Sequence, residues 1–140
     1  MERDNLGGMS DVAKEVAEHK RMMWRQADAL LIEASKACML LNAGGVVAML
    51  GFEQALLGKD AHLFAAFKWF GLGAGALFLI GAMLTVFAHQ ARARSRIGVF
   101  AGDGPRSIAN GKYADRLMLS SAIAFVLASV IAGIGIGRLG

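Results

Sequence analysis

The chain has 140 residues, of which 56% are hydrophobic, with 18 glycines and one proline. Soluble domains of this length bury a single core and are seldom so apolar, so the composition indicates a helical membrane protein. The single cysteine, Cys38, excludes an intrachain disulfide and any cysteine-cluster metal site. The positions of the charged residues are more informative than the net charge of +4.

Residues 1–36 predict an amphipathic cytoplasmic helix that forms a separate N-terminal segment. No glycine or proline interrupts the chain between Ser10, a suitable N-cap, and Gly44. Apolar residues recur at helical spacing, and charged residues occupy the other faces. Such a helix either lies on the membrane surface or packs against its own copies or a partner protein. The even mixture of acidic and basic residues favours protein contacts.

The first predicted span covers residues 37–57, the run ACMLLNAGGVVAMLGFEQALL. As a helix it is about 30 Å long, roughly the hydrocarbon thickness of a bilayer. Four residues fall on one line of the helix, which we call the polar stripe: Asn42, Val46, Met49 and Glu53. The opposite side, which we call the small-residue face, carries Gly44, Ala48 and Gly51.

Two interpretations of the polar stripe remain open. Asn42 can form an interhelical hydrogen bond while Glu53 is hydrated at the outer boundary, near Lys59. Alternatively, symmetric association of subunits places one stripe from each around an axis, so that the stripe lines a pore. In that case Val46 and Met49 form a dewetting constriction between rings of Asn and Glu.

Two further spans are predicted at about residues 67–88 and 117–137, joined by about 27 polar residues that we interpret as a loop. Small residues spaced four apart let helices approach closely. The residues predicted to pack helices in this way are Gly44, Ala48, Gly51, Gly71, Gly75, Ser129 and Gly133. One subunit cannot pair every such face internally, so the sequence predicts a homo-oligomer, for example a tetramer. The expected fold is therefore all-α, with three transmembrane helices in residues 37–140.

Lysines and arginines cluster before the first span and between the second and third spans. Because cytoplasmic loops carry the excess of positive charge, the N-terminus is predicted on the cytoplasmic side of the membrane and the C-terminus on the outer side. The same charges are candidates for binding anionic lipid, a phosphate-bearing ligand or a partner. These candidates are Lys14, Lys20, Arg21, Arg25, Arg92, Arg94 and Arg96.

No catalytic constellation is present in the sequence. His19, His62 and His89 lie on different segments, and no G-x-S-x-G or P-loop pattern occurs. We therefore expect a protein that is not an enzyme and that needs no metal or cofactor.

The run MLLNAGGVVAMLGF, preceded by an amphipathic helix, resembles the first span of small three-span bacterial membrane proteins with an LLNGGA-type motif. Ala43 stands where that pattern has glycine. The layout is similar to that of transmembrane effectors of anti-phage defence systems, including the Hailong system. The resemblance implies an oligomeric, channel-like effector in the bacterial inner membrane that is held closed until infection. It also implies control by a nucleotidyltransferase partner or its oligonucleotide product.

The leading functional prediction is therefore a gated channel of the inner membrane, controlled through its N-terminal helix. The competing prediction is a non-conducting membrane anchor or scaffold that recruits a cytoplasmic partner. A transporter is disfavoured because the sequence contains no inverted repeat.

Overall fold

The computed structural model describes the backbone of residues 2–139 and the side chains of residues 12, 14–99 and 101–139. Three α-helices account for nearly all of this part of the chain: α1 (Glu2–Lys59), α2 (Ala61–Phe100) and α3 (Gly104–Gly137). The described residues contain no strand, so the all-α prediction is confirmed for them. The first helix begins at Glu2, eight residues before the predicted N-cap.

Each helix contains a segment long and apolar enough to cross a membrane, as predicted. These segments are Lys14–Lys59, Ala61–Val99 and Gly104–Gly137.

The chain divides into two compact units, Met1–Ala34 and Ser35–Gly140. In the first unit, which is the early part of α1, apolar side chains such as Val16, Trp24 and Leu30 are exposed. The second unit contains the rest of α1 together with α2 and α3, and we call it the three-helix unit.

The helices of the three-helix unit run antiparallel to their neighbours in sequence. A single residue, Asp60, separates α1 from α2, and its carboxylate accepts a hydrogen bond from the His62 N–H at 2.7 Å. Contacts between α2 and α3 run from Ser95 with Ser107 at one end to Phe70 with Gly135 at the other. The two helices therefore pack along most of their length.

The polar connection between the second and third spans is helical, which corrects the loop predicted from its charges and glycines. Helix α2 continues to Phe100, and only residues 101–103 form a turn. Gly102 adopts a φ of 75°, and the Asp103 carboxylate caps α3 by accepting from the Arg106 N–H at 3.2 Å. The preceding residues are largely alanine and arginine, which are good helix formers, so three residues are enough to reverse the chain.

The core of the three-helix unit combines large side chains of α2 with small ones of α3. Phe67 and Phe78 of α2 are buried, and Phe67 meets Phe52 of α1 edge to face with ring centroids 4.9 Å apart. Every buried residue of α3 is small: Ser107, Ala114, Ser121, Ala124, Ala128, Ala132 and Gly135. Small residues on α3 therefore leave the room that the phenylalanine rings fill.

Candidate functional site

The polar stripe of α1 faces the interior of the three-helix unit. Asn42 is fully buried, Met49 is 9% exposed, and Val46 and Glu53 are half-buried. The small-residue face is exposed instead, since Gly44, Ala48 and Gly51 all lie on the outer surface. Within one chain, the stripe therefore packs against the other helices.

Asn42 belongs to a polar network that joins all three helices. Its Nδ2 donates to the Cys38 carbonyl at 2.9 Å and to Ser121 Oγ of α3 at 3.2 Å. Ser121 in turn donates to the carbonyl of Gly81 in α2 at 2.8 Å. Thr85 Oγ1 lies 2.8 Å from Ser121 Oγ and also donates to Gly81, at 3.1 Å. Buried hydroxyl and amide groups thus satisfy one another between helices, as expected where no water is available.

The amide oxygen of Asn42 is the exception in this network. Oδ1 is buried and has no hydrogen-bond partner. It lies against Gly81, where an added Cβ would collide with the Asn42 amide. The absence of a side chain at Gly81 therefore permits the close approach of α1 and α2 at this level.

Glu53 repeats this pattern nearer the turn between α1 and α2. Its Oε1 is buried without a hydrogen-bond partner, and a Cβ at Gly71 would collide with it. In the described part of the chain, the Glu53 carboxylate forms no ion pair.

These contacts define the antiparallel register of α1 against α2. Ser35 Oγ and His89 Nε2 share a hydrogen bond of 2.8 Å at one end. Asn42 meets Gly81 in the middle, and Glu53 meets Gly71 at the other end. At one intermediate contact the glycine belongs to α1 and the large side chain to α2, because Gly45 of α1 lies against the ring of Phe78 of α2.

Sequence reasoning missed the partners of the stripe. Thr85 and Ser121 were visible as polar residues inside the second and third spans, and a search for polar residues at matching depth would have paired them with Asn42. Gly81 and His89 carried no such signal. Their roles follow from the register between helices.

The predicted packing residues have mixed positions in the structure. Gly71 is buried against α1, but a Cβ at Gly44, Gly51, Gly75 or Gly133 would meet nothing within 4 Å. Ala48 and Ser129 are exposed, and Ser129 donates to Phe125 of its own helix. Apart from Gly71, these residues are available for contacts outside the chain.

The arginines predicted to bind ligands also have different surroundings. Arg92 of α2 forms an ion pair with Asp115 of α3. Arg94 lines a cavity of about 370 Å³ at the turn between α2 and α3, together with Arg106 and Asn110. Arg96 is exposed and interacts with another residue.

The basic residues predicted in the first unit, Lys14, Lys20, Arg21 and Arg25, are all exposed within it.

No cluster of three or more His, Cys, Asp or Glu residues in the described part of the chain could hold a metal ion. His19 and His62 are exposed, and His89 contacts Ser35.

Comparison of the chain with protein families, curated proteins and solved structures gives no match.

Proposed function

We propose that this protein is a gated, homo-oligomeric channel of the bacterial inner membrane, and that the packing of α1 against α2 and α3 in the three-helix unit is its closed state. The observation that carries the proposal is the pair of buried, unpartnered oxygens on one face of α1, Asn42 Oδ1 and Glu53 Oε1. Both belong to the polar stripe, and both lie against glycines of α2.

Unpartnered polar atoms in an apolar interior are energetically unfavourable. Leaving such an atom without a hydrogen bond costs about 1–3 kcal/mol, so each native example calls for an explanation. A rotation of α1 that turned the stripe toward a water-filled axis would give both oxygens hydrogen-bond partners. The closed state would then be only moderately favoured over the open state, which a signal must be able to reverse.

The exposed small-residue face supports an oligomer in which neighbouring copies contact α1. Gly44 and Gly51 carry no side chain and Ala48 carries only a methyl group, so a helix of another subunit can approach the α1 backbone closely. The open pore would be lined by the polar stripe. A ring of Glu53 carboxylates favours cations, and Val46 with Met49 supplies an apolar constriction.

The N-terminal segment is proposed to control the gate from the cytoplasm. It carries exposed apolar side chains and the basic residues Lys20, Arg21 and Arg25. A partner protein or an oligonucleotide signal that bound there could act only through different affinities for the closed and open states. The resemblance to anti-phage effectors provides the proposed setting, in which infection changes that signal.

The test is cation flux through liposomes that contain the purified full chain, a variant that lacks residues 1–25, and this shortened variant with the further change Glu53→Gln. We expect the channel to open, and cation flux to appear, when residues 1–25 are removed. We expect Glu53→Gln to abolish the preference for cations. Gln54→Ala, a change at an exposed neighbour, is the matched control and should keep the selectivity. Absence of flux in every variant would refute the channel.

A non-conducting anchor is the second candidate, and the hydrogen bond between Asn42 and Ser121 favours it. In that case the stripe serves only to hold three helices together, and the N-terminal segment recruits a cytoplasmic partner. The same liposomes distinguish the two functions, because an anchor gives no flux in any variant.

A further inference from the structure

The ends of α2 and α3 next to their turn are joined by a pair of reciprocal hydrogen bonds. Ser95 Oγ donates to the Ser107 carbonyl at 2.7 Å, and Ser107 Oγ donates to the Ser95 carbonyl at 2.8 Å. A Cβ added at Gly98 would lie 3.3 Å from the Ser107 Cβ, so the two helices also approach closely there. Arg94 and Arg106 directly precede these serines and are therefore held on the same short stretch of the hairpin.

Arg94 and Arg106 line one cavity at this turn. The cavity has a volume of about 370 Å³, within the range of about 300–1,000 Å³ that is typical of small-molecule sites. Its lining also contains Asn110 and one acidic residue, Asp103. The remaining lining residues are Ile97, Gly98 and Ala101.

The charges around the cavity favour an anion. In the described part of the chain, the guanidinium groups of Arg94 and Arg106 form no ion pair. The Asp103 carboxylate accepts from the backbone N–H of Arg106 as the cap of α3, and Asp115 is paired with Arg92. Two arginines against one aspartate give the cavity a net positive charge.

The donor groups select a phosphate group among anions. Each guanidinium can present two parallel N–H groups to a pair of oxygens, and the Asn110 side chain adds an NH₂ donor. A carboxylate has only two oxygens, whereas a phosphomonoester has three terminal oxygens and about two negative charges at pH 7. A phosphomonoester can therefore bridge the arginines of the two helices.

The cavity lies near the level expected for lipid headgroups. At a rise of about 1.5 Å per residue, Arg94 lies about 9 Å beyond residue 88, the predicted end of the second span. Arg106 lies about 17 Å before residue 117, the predicted start of the third span. Because the polar layer of a bilayer is about 5–8 Å thick on each side, a headgroup phosphate and a soluble phosphate compound can both reach the cavity.

We propose that the cavity at the turn between α2 and α3 binds a phosphomonoester group, held between the guanidinium groups of Arg94 and Arg106. Asn110 supplies a further donor, and the hydrogen bonds between Ser95 and Ser107 position the two arginines. The site is independent of ion conduction and would be present in either proposed function.

The test is titration of the purified full chain in detergent micelles with three dioctanoyl lipids, with bound lipid counted by native mass spectrometry. Phosphatidic acid presents a phosphomonoester, and phosphatidylglycerol presents a phosphodiester with a single negative charge. Phosphatidylcholine has no net charge and measures partition into the micelle. We expect about one phosphatidic acid per chain, bound at least about tenfold more tightly than phosphatidylglycerol.

Soluble glycerol 3-phosphate identifies the source of the phosphate group, because it carries the same phosphomonoester without acyl chains. If it binds as tightly as phosphatidic acid, the ligand is a soluble phosphate compound. If only phosphatidic acid binds, the ligand is a lipid headgroup at the membrane surface. Either result supports the site.

Three variants and a control test the residues of the cavity. Arg94→Gln and Arg106→Gln should each weaken phosphatidic acid binding by at least about tenfold, because each removes charge-assisted hydrogen bonds. Ala101→Phe keeps both arginines but fills the cavity, and it should abolish the binding. Arg116→Gln is the matched control, since Arg116 is an exposed arginine of α3 outside the cavity, and this variant should bind like the unaltered protein.

The proposal is overturned if phosphatidylglycerol binds as tightly as phosphatidic acid, or if any of the three cavity variants retains full affinity. An equal loss in Arg116→Gln would also overturn it, because binding would then follow the overall positive charge of the surface. Liposome flux and lipid binding are separate measurements. A chain that binds phosphatidic acid without conducting ions would refute the channel and support the site.

Discussion

The amide of Asn42 in α1 lies directly against the backbone of Gly81 in α2, at a contact that has no room for a Cβ atom. The same residue donates to Ser121 of α3, so one side chain holds α1 against both other helices. Close approach at Gly81 thus brings the amide group within reach of the network formed by Thr85 and Ser121. The close packing at Gly81 and the polar network therefore both involve the Asn42 side chain.

Substitution of Gly81 by alanine should destabilise the three-helix unit. The added methyl group would collide with the Asn42 amide and force α1 away from α2, and such overpacking costs about 1–3 kcal/mol. The measurement is the free energy of unfolding in mixed detergent micelles.

Gly75→Ala is the control for this substitution. It lies on the same helix, and its Cβ would meet nothing within 4 Å. Because alanine also favours helix over glycine by up to about 1 kcal/mol, Gly75→Ala should leave stability unchanged or raise it. Equal effects of the two changes would contradict the α1–α2 register described here.

Asn42 and Ser121 should be energetically coupled. Removing both partners of a hydrogen bond costs less than the sum of the single removals, and in membrane proteins the difference averages about 0.6 kcal/mol and reaches about 1.7 kcal/mol. A double-mutant cycle with Asn42→Ala and Ser121→Ala measures this coupling. The cycle that pairs Asn42→Ala with Ser129→Ala should give none, since Ser129 donates within its own helix.

The helical hairpin of α2 and α3 should be trapped by a disulfide between positions 95 and 107. Ser95 Oγ and Ser107 Oγ lie 3.3 Å apart, so cysteines at these positions can bond after mild oxidation. The experiment starts from Cys38→Ala and measures free thiols by alkylation and mass spectrometry.

The matched control for the hairpin combines Ser95→Cys with Ile108→Cys. Ile108 is 62% exposed, one residue beyond Ser107, so this pair should form the disulfide slowly or not at all. Equally rapid oxidation of both pairs would indicate a flexible loop and would contradict the hairpin.

The orientation in the membrane should follow the positive charges. Arg92, Arg94 and Arg96 precede the turn between α2 and α3, so that turn should face the cytoplasm. In a Cys38→Ala background, Ala101→Cys should react with a membrane-impermeant maleimide only after cell lysis. Gly137→Cys should react in spheroplasts with an intact inner membrane, and the reverse pattern would contradict the predicted topology.

The sequence by itself was sufficient to predict the three apolar helices and the face that Asn42, Val46, Met49 and Glu53 share. Both properties are local, because helix length and angular spacing depend only on residues close together in the chain. The prediction failed at residues 89–115, where arginines and glycines suggested a loop. There the short turn at Gly102 and the helix-forming alanines around the arginines decided the structure.

Only the tertiary structure decided where the polar stripe points. An α-helix with a polar edge and a small-residue edge can present either one to its neighbours, and both were plausible from the sequence. The choice depends on the register between helices, which places Gly81 opposite Asn42 and Gly71 opposite Glu53. These pairs are separated by 39 and 18 residues of sequence, and no local pattern encodes such a distance. At Asn42 and at Glu53 the polar side chain lies where the partner helix has a glycine, and the packing of the helices brings each pair together.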